Sequence, residues 1–212
     1  MDADRCELIL HSFAEAYLYL LLNRCAGCVE GTLVMDWTRV TQDPERGMVS
    51  AVFACRACGQ AGLFRLDARL VDAESIRPGD FAAWEKPGSQ PVVPPVNPTD
   101  EASRVIDVAG WLTLFGVLSE KAREIARQAT KVRERAVVRQ LQIQAGQCLD
   151  EALAFYLEDN DLPPREAFFS EDSWRQFMER PALFVRDRLI DLRSGLPLQA
   201  GGSGRRKLRG EE

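Results

Sequence analysis

The sequence holds a single histidine, His11, among 212 residues. Histidine is the side chain that most often transfers protons near neutral pH, so most acid-base enzymes are excluded in their usual form. The chain also lacks a glycine-rich phosphate loop, a serine-centred elbow and a metalloprotease signature. His11 lies among apolar residues of a predicted helix, where we expect a packed or hydrogen-bonded side chain. The sequence therefore predicts a protein that is not an enzyme.

The chain also lacks a long apolar run. A bilayer crossing needs about 20 consecutive apolar residues, and no segment reaches that length. The most apolar segment, residues 8–22, is interrupted by His11, Ser12 and Glu15, and acidic residues precede it. Neither a membrane span nor a signal peptide is predicted. We expect a cytoplasmic protein, since paired cysteines in that reducing compartment bind metal more often than they form disulfides.

Lysine is scarce, with four residues, and arginine supplies the rest of the 27 basic side chains. This bias is typical of a GC-rich, bacterial genome. The formal net charge of −5 argues against a general nucleic-acid coat protein. Residues 121–139 are nevertheless basic and residues 150–172 acidic, and two interpretations stay open. They form either solvated helix faces or a basic tip that meets an acidic partner or RNA.

Two cysteine pairs are what the chain does contain. Cys25 and Cys28, and then Cys55 and Cys58, are each separated by two residues, with residues 29–54 between the pairs. This spacing lets both thiolates of a pair point at one ion, and four sulfurs in a tetrahedron suit Zn²⁺. Such a closed shell predicts structural zinc, with no catalytic and no cofactor-binding residues. The remaining cysteines, Cys6 and Cys148, are predicted core residues.

With its four cysteines, Gly59 and the flanking predicted strands, the segment 25–71 resembles a zinc ribbon. The resemblance implies a small antiparallel module with structural Zn²⁺, of a kind that often serves transcription and translation machinery. The pairs read CAGC and CRAC, without the proline that many ribbons have inside each pair. Val29 follows the first pair, where a ribbon often has glycine.

Three other uses of the cysteines compete with structural zinc. Rubredoxins bind iron with a similar pair of knuckles, although the aromatic packing typical of them is not concentrated in this sequence. A redox dithiol normally starts a helix, whereas a turn and a strand are predicted after Cys58. Two disulfides would require an oxidising compartment.

Hydrophobic periodicity predicts the N-terminal elements. The second cysteine pair should lie at the tip of a hairpin between two strands. The predicted elements are a helix over 4–23, strands over 32–37, 48–54 and 64–70, and a turn over 43–47.

Five prolines in residues 85–98 predict an extended linker and a domain boundary. A helix should begin near Thr99 or Asp100, and the chain should turn near residues 128–131 to form a helical hairpin. The second arm should carry Val137, Leu141, Ala145, Cys148, Ala152 and Phe155 on one face. It should end at residues 160–164, and further helices should begin at Ser170 and Pro181 and end near Gly195.

The complete prediction is an α+β protein. It comprises a helix and zinc-ribbon domain (1–84), the linker (85–98), a helical domain (99–195) and a disordered tail (196–212). The favoured function is an interaction or scaffolding subunit that engages a protein partner or self-associates. The alternatives are a nucleic-acid-associated accessory factor and, third, an electron-transfer protein with rubredoxin-like iron.

Overall fold

The computed structural model describes residues 7–28, 30–70 and 95–198. These residues form helices and a four-stranded sheet, so the predicted α+β class is confirmed. In chain order the elements are β1 (Glu7–Leu10), α1 (Phe13–Leu22), β2 (Leu33–Asp43), β3 (Met48–Cys55), β4 (Ala61–Asp67), α2 (Val108–Gln128), α3 (Val132–Leu153), α4 (Glu171–Glu179) and α5 (Arg186–Ser194).

The sheet has the strand order β1-β4-β3-β2, in which β1 runs parallel to β4 and the other pairings are antiparallel. Alternate residues of β3 and β4 are buried. The strand predicted over 64–70 is wrong in its bounds, because β4 starts at Ala61 and ends at Asp67, and residues 68–70 form a turn. The predicted turn joins β2 to β3 and contains Gly47, whose φ of 61° favours glycine. The connection between β3 and β4 carries Cys58, as predicted.

The helix predicted over residues 4–23 is wrong at its start. Glu7–Leu10 forms strand β1, and the helix begins only at Phe13. Ser12 separates the two elements: its backbone is extended, and its hydroxyl accepts a hydrogen bond from the Glu15 N–H at 3.0 Å. Apolar residues at 8–10 fit a helix face or a strand equally well. The segment forms a strand because pairing with β4 provides hydrogen-bond partners for the backbone N–H and C=O groups of β1.

Helix α1 packs against two hydrophobic clusters. Phe13, Ala16 and Leu20 belong to the cluster on the sheet, called here the sheet core. Leu18 belongs to a second cluster formed mainly by α2 to α5, called here the helical core, and Tyr19 packs against both. None of the helices in the described ranges is long and apolar enough to cross a membrane.

Of the predicted linker, only residues 95–98 are among those described. Val96 and Asn97 are buried, and the Ser12 hydroxyl donates a hydrogen bond to the Val96 carbonyl. The Asn97 amide donates to the Glu151 carboxylate of α3 at 2.9 Å. The end of the linker therefore packs as an ordered strap between α1 and α3. Residues 85–94 and 199–212 lie outside the described residues, and the domain boundaries stay predictions.

Helix α2 begins at Val108, eight residues after the predicted Asp100. Side chains cap local turns in the intervening segment. The side-chain Oδ1 of Asn97 accepts the Thr99 N–H at 2.8 Å, and the Ser103 hydroxyl accepts the Ile106 N–H at 3.0 Å. Such bonds compete with helical ones, so the chain stays irregular. Asp107 is the actual N-cap and accepts the Gly110 N–H at 2.8 Å.

The predicted helical hairpin is confirmed, because α2 ends at Gln128 and α3 begins at Val132. Two of the residues predicted on the buried face of α3 depart from the prediction: Val137 is exposed, and Phe155 is half-buried and lies beyond the end of the helix. Helix α3 ends at Leu153, before the predicted stop. The chain turns there so that Tyr156 is buried and its hydroxyl donates to the Phe184 carbonyl at 2.6 Å.

The C-terminal elements follow the prediction in part. Ser170 caps α4 and accepts the Ser173 N–H at 3.1 Å, as predicted from its position. Pro181 starts a short 3-10 turn, Pro181–Phe184, instead of one continuous helix. Val185 has an extended backbone and separates this turn from α5. The helix ends before Gly195, as predicted.

The buried junction between α1 and the strap contains the single histidine. His11 precedes α1, and its Nδ1 lies 3.3 Å from Oε2 of Glu15, a carboxylate with no exposed surface. The contact with Glu15 raises the pKa of His11 above its ordinary value against the opposing effect of burial. Glu151 of α3 and Glu101 after the strap raise the pKa further.

This pair predicts a pH-dependent contribution to stability. The unfolded imidazole has a pKa of about 6.5. Since the native pKa is higher, the protonated ring stabilises the fold fully below that value, and the contribution is lost as the pH rises through the native pKa. We expect His11→Gln to lower the free energy of unfolding more at about pH 6 than at about pH 9. Urea titrations at equal metal concentration measure this difference.

An NMR titration provides an independent check, because His11 is the only imidazole in the chain. Its ring protons should report a native pKa above about 6.5, and a lower value would contradict the assignment.

Candidate metal centre

Two loops bring the cysteine pairs together at one end of the sheet. Cys25 and Cys28 lie on the connection from α1 to β2, where the Cys25 N–H donates to the Gly31 carbonyl at 3.1 Å. Cys55 ends β3 and pairs in register with Leu33 at the start of β2. The first loop is therefore held beside the second by the β2–β3 ladder, although the two loops are far apart in sequence.

The four sulfurs form one compact cluster. All lie within 4.8 Å of one another, and the Sγ atoms of Cys25 and Cys58, and of Cys28 and Cys55, are 3.5 Å apart. A disulfide has sulfurs at about 2.05 Å, and all four cysteines are free thiols. Tetrahedral coordination at about 2.3 Å places the sulfurs about 3.8 Å apart. The tetrad predicted from the spacing is thus suited to binding a metal ion.

Two glycines shape the loops of the cluster, one through its backbone conformation and one through the space it leaves. Gly59 follows the second pair and has a φ of 74°, a backbone conformation that favours glycine. At Gly31, a Cβ would lie 2.0 Å from the Cys55 sulfur and 2.8 Å from the Cys28 sulfur. The sequence pattern does not reveal Gly31, since this glycine stands three residues after Cys28 and not directly after the pair. Its role depends on the approach of Cys55 from another strand.

Backbone amides adjust the acidity of the cluster. The N–H groups of Cys58 and Ala57 point at the Cys55 sulfur, and they lower the pKa of Cys55 to about 6 against the effect of burial. The neighbouring Cys55 sulfur raises the pKa of Cys28 to about 12. Without a metal, the Cys55 thiol is therefore more acidic than the Cys28 thiol beside it. A cation that replaces the thiol protons would turn all four sulfurs into ligands.

The cluster is half enclosed by protein. Cys25 and Cys55 are buried, Cys28 is half-buried and Cys58 is exposed. In the part of the chain that the structure describes, these four residues form the one group of histidine, cysteine and acidic side chains suited to a metal. Cys148 is buried in the helical core, as predicted, and Cys6 lies outside the described residues.

Acidic side chains near the start of α4 form ion pairs at the surface. Glu171 pairs with Arg165 at 2.6 Å and Asp172 with Arg175 at 3.1 Å, all at the surface near the start of α4. Carboxylates in the first turn of a helix also stabilise its N-terminus. This arrangement agrees with the solvated helix face that is one of the two interpretations of the acidic stretch.

The space at Gly31 predicts how metal binding responds to substitution. In Gly31→Ala the added Cβ would force the Cys55 and Cys28 sulfurs apart, so we expect the affinity for Zn²⁺ to fall at least about tenfold. Competition titration with a chromophoric chelator measures this change. Absorption of the Co²⁺ form reports whether tetrahedral thiolate coordination persists.

The matched control is Gly116→Ala, because a Cβ at this position on α2 meets no atom within 4 Å. Its affinity for Zn²⁺ should equal that of the wild type. Equal affinities in all three proteins would show that Gly31 does not shape the site.

Comparisons with known proteins add nothing to the assignment of the four cysteines as a metal-binding group. No protein-family model matches the chain, and no match was found among the curated proteins or the solved structures. What stands is therefore the geometry: four free cysteines from two loops, close enough together to hold one metal ion.

Proposed function

We propose that this protein is a non-enzymatic interaction subunit, which holds a zinc ribbon together with structural Zn²⁺ and engages a protein partner or a second copy of itself. The proposal depends on the four-sulfur site. Cys25, Cys28, Cys55 and Cys58 would fill all four positions of tetrahedral zinc, which leaves none for water or a substrate. Bound there, the ion supplies folding free energy, which amounts to about 10–16 kcal/mol in small zinc peptides.

The proposed structural role favours zinc over iron. The aromatic packing typical of rubredoxins does not distinguish the two metals here. Tyr19, Phe53 and Phe64 form an aromatic cluster in the sheet core, with the Phe53 and Phe64 rings 4.4 Å apart. Elemental analysis and colour do distinguish them, since iron bound by four thiolates absorbs visible light. Free thiols at this spacing also fit the proposed cytoplasmic location.

An apolar surface on α1 supports the interaction role. Tyr17 and Leu21 lie one helical turn apart and are 51% and 48% exposed. Residues at this spacing are neighbours on a helix surface, so the two side chains form one patch. Large apolar side chains that cluster at a surface are typical of protein interfaces. The patch lies on the helix that packs against both hydrophobic cores.

The proposal predicts association of the zinc-loaded full-length chain. Sedimentation velocity should show concentration-dependent oligomers, or a defined protein should co-purify from the native cell. Tyr17→Ser combined with Leu21→Ser should weaken this association at least about tenfold, because fully burying one such side chain is worth about 1.5–3 kcal/mol and about 1.4 kcal/mol corresponds to a tenfold change in affinity. Met178→Ser on α4, also an exposed apolar position, is the matched control and should associate normally.

A monomer at all concentrations that also lacks a co-purifying partner would count against the interaction role. An unchanged association in the α1 variant would instead place the interface on another surface.

The alternative function, a nucleic-acid-associated factor, is favoured by arginines beside the metal centre. Arg24 and Arg56 are exposed and directly precede or follow a cysteine ligand in each loop. The basic stretch at 205–209 lies outside the residues that the structure describes. Titration against RNA and duplex DNA at two salt concentrations tests this function, since phosphate contacts weaken steeply with salt. Absence of binding at low salt would remove it.

A further inference from the structure

An open groove of about 850 Å³ lies between the tip of the α2–α3 hairpin and the chain that follows α5. Ala129 and Val138 contribute apolar surface from the hairpin, and Leu196 and Pro197 contribute it from the opposite side. Arg135 and Arg139 also line the groove, one turn apart on α3. The surface therefore combines an apolar base with two neighbouring guanidinium groups.

The charge of these arginines is not neutralised within the described ranges. Neither Arg135 nor Arg139 forms an ion pair there, whereas Arg123 on α2 pairs with Glu120 at 2.7 Å. Arg135 has only a long contact, 3.5 Å, to the Thr130 carbonyl.

The adjacent carboxylate, Glu134, is already engaged in capping α3. It accepts the N–H groups of Thr130 and Lys131 at 2.8 and 3.0 Å. These backbone contacts lower the pKa of Glu134, so it stays ionised in that role. The groove consequently presents net positive charge to solvent.

We propose that this groove binds an acidic peptide segment of a protein partner, one with aspartate or glutamate next to leucine-like side chains. Guanidinium groups match carboxylates in shape and charge, and the apolar base buries the aliphatic neighbours. Single-stranded nucleic acid fits less well, because it needs aromatic stacking surfaces and none of the residues lining the groove is aromatic. This inference rests on the proposed interaction role and names the chemistry of one partner segment.

Selection from a random dodecapeptide display library tests the inference with the zinc-loaded full-length chain as bait. Enriched peptides should combine acidic and large aliphatic residues. Synthetic copies should bind the wild type, as measured by fluorescence anisotropy, and should bind Arg135→Glu/Arg139→Glu at least about tenfold more weakly. Their affinity should also fall as salt concentration rises.

The matched control is Arg123→Glu/Arg175→Glu, which makes the same change in net charge at two exposed surface arginines. This variant should keep wild-type affinity for the selected peptides, and circular dichroism should confirm that both double variants are folded.

Several outcomes would overturn the inference. They are failure to enrich any peptide, enrichment of basic or uncharged peptides, and equal loss in both double variants. Displacement of the peptides by single-stranded RNA with higher affinity would assign the groove to nucleic acid. Association through the α1 patch is measured separately, so failure at the groove leaves the proposed interaction role standing.

Discussion

The approach of four thiol sulfurs to within 4.8 Å is the constraint on which the sheet end of this protein depends. Four thiolates at this spacing repel one another strongly unless protons or a cation lie among them. In the metal-free cluster the neighbouring groups lower the pKa of Cys55 and raise the pKa of Cys28. A divalent ion among the sulfurs would offset their repulsion, and the loops from α1 to β2 and from β3 to β4 would then be joined by coordination as well as by the β2–β3 ladder.

Helix α1 connects this end of the molecule to the helical region. Its ten residues bury side chains in both hydrophobic cores, and Ser12 at its N-terminus bonds to the strap residue Val96. The strap in turn reaches α3 through Asn97 and Glu151. A continuous series of contacts thus runs from the β1–α1 junction to the helical hairpin. The proposed interaction surfaces lie at separate places on it, one on α1 and one at the hairpin tip.

Sequence patterns succeeded where the determining interactions are local. Hydrophobic periodicity predicted a strand at β3, the first part of the predicted strand 64–70 lies in β4, and the turn expected near residues 128–131 separates α2 from α3. They failed where a distant partner decides. Residues 7–10 form a strand only because β4 lies beside them, and α2 starts late because Asn97 and Ser103 cap irregular turns that the strap packs in place.

The sequence by itself determined the identity of the four metal-binding candidates, because the two-residue spacing within each pair limits where both sulfurs can point. It also excluded any site built from two or more histidines, since the chain contains a single imidazole. Only the tertiary structure decided that Gly31 is needed beside the Cys55 sulfur, that His11 is held against Glu15, and that Arg135 and Arg139 line a groove. Each of these depends on distances between segments remote in sequence, and packing of the two cores sets those distances.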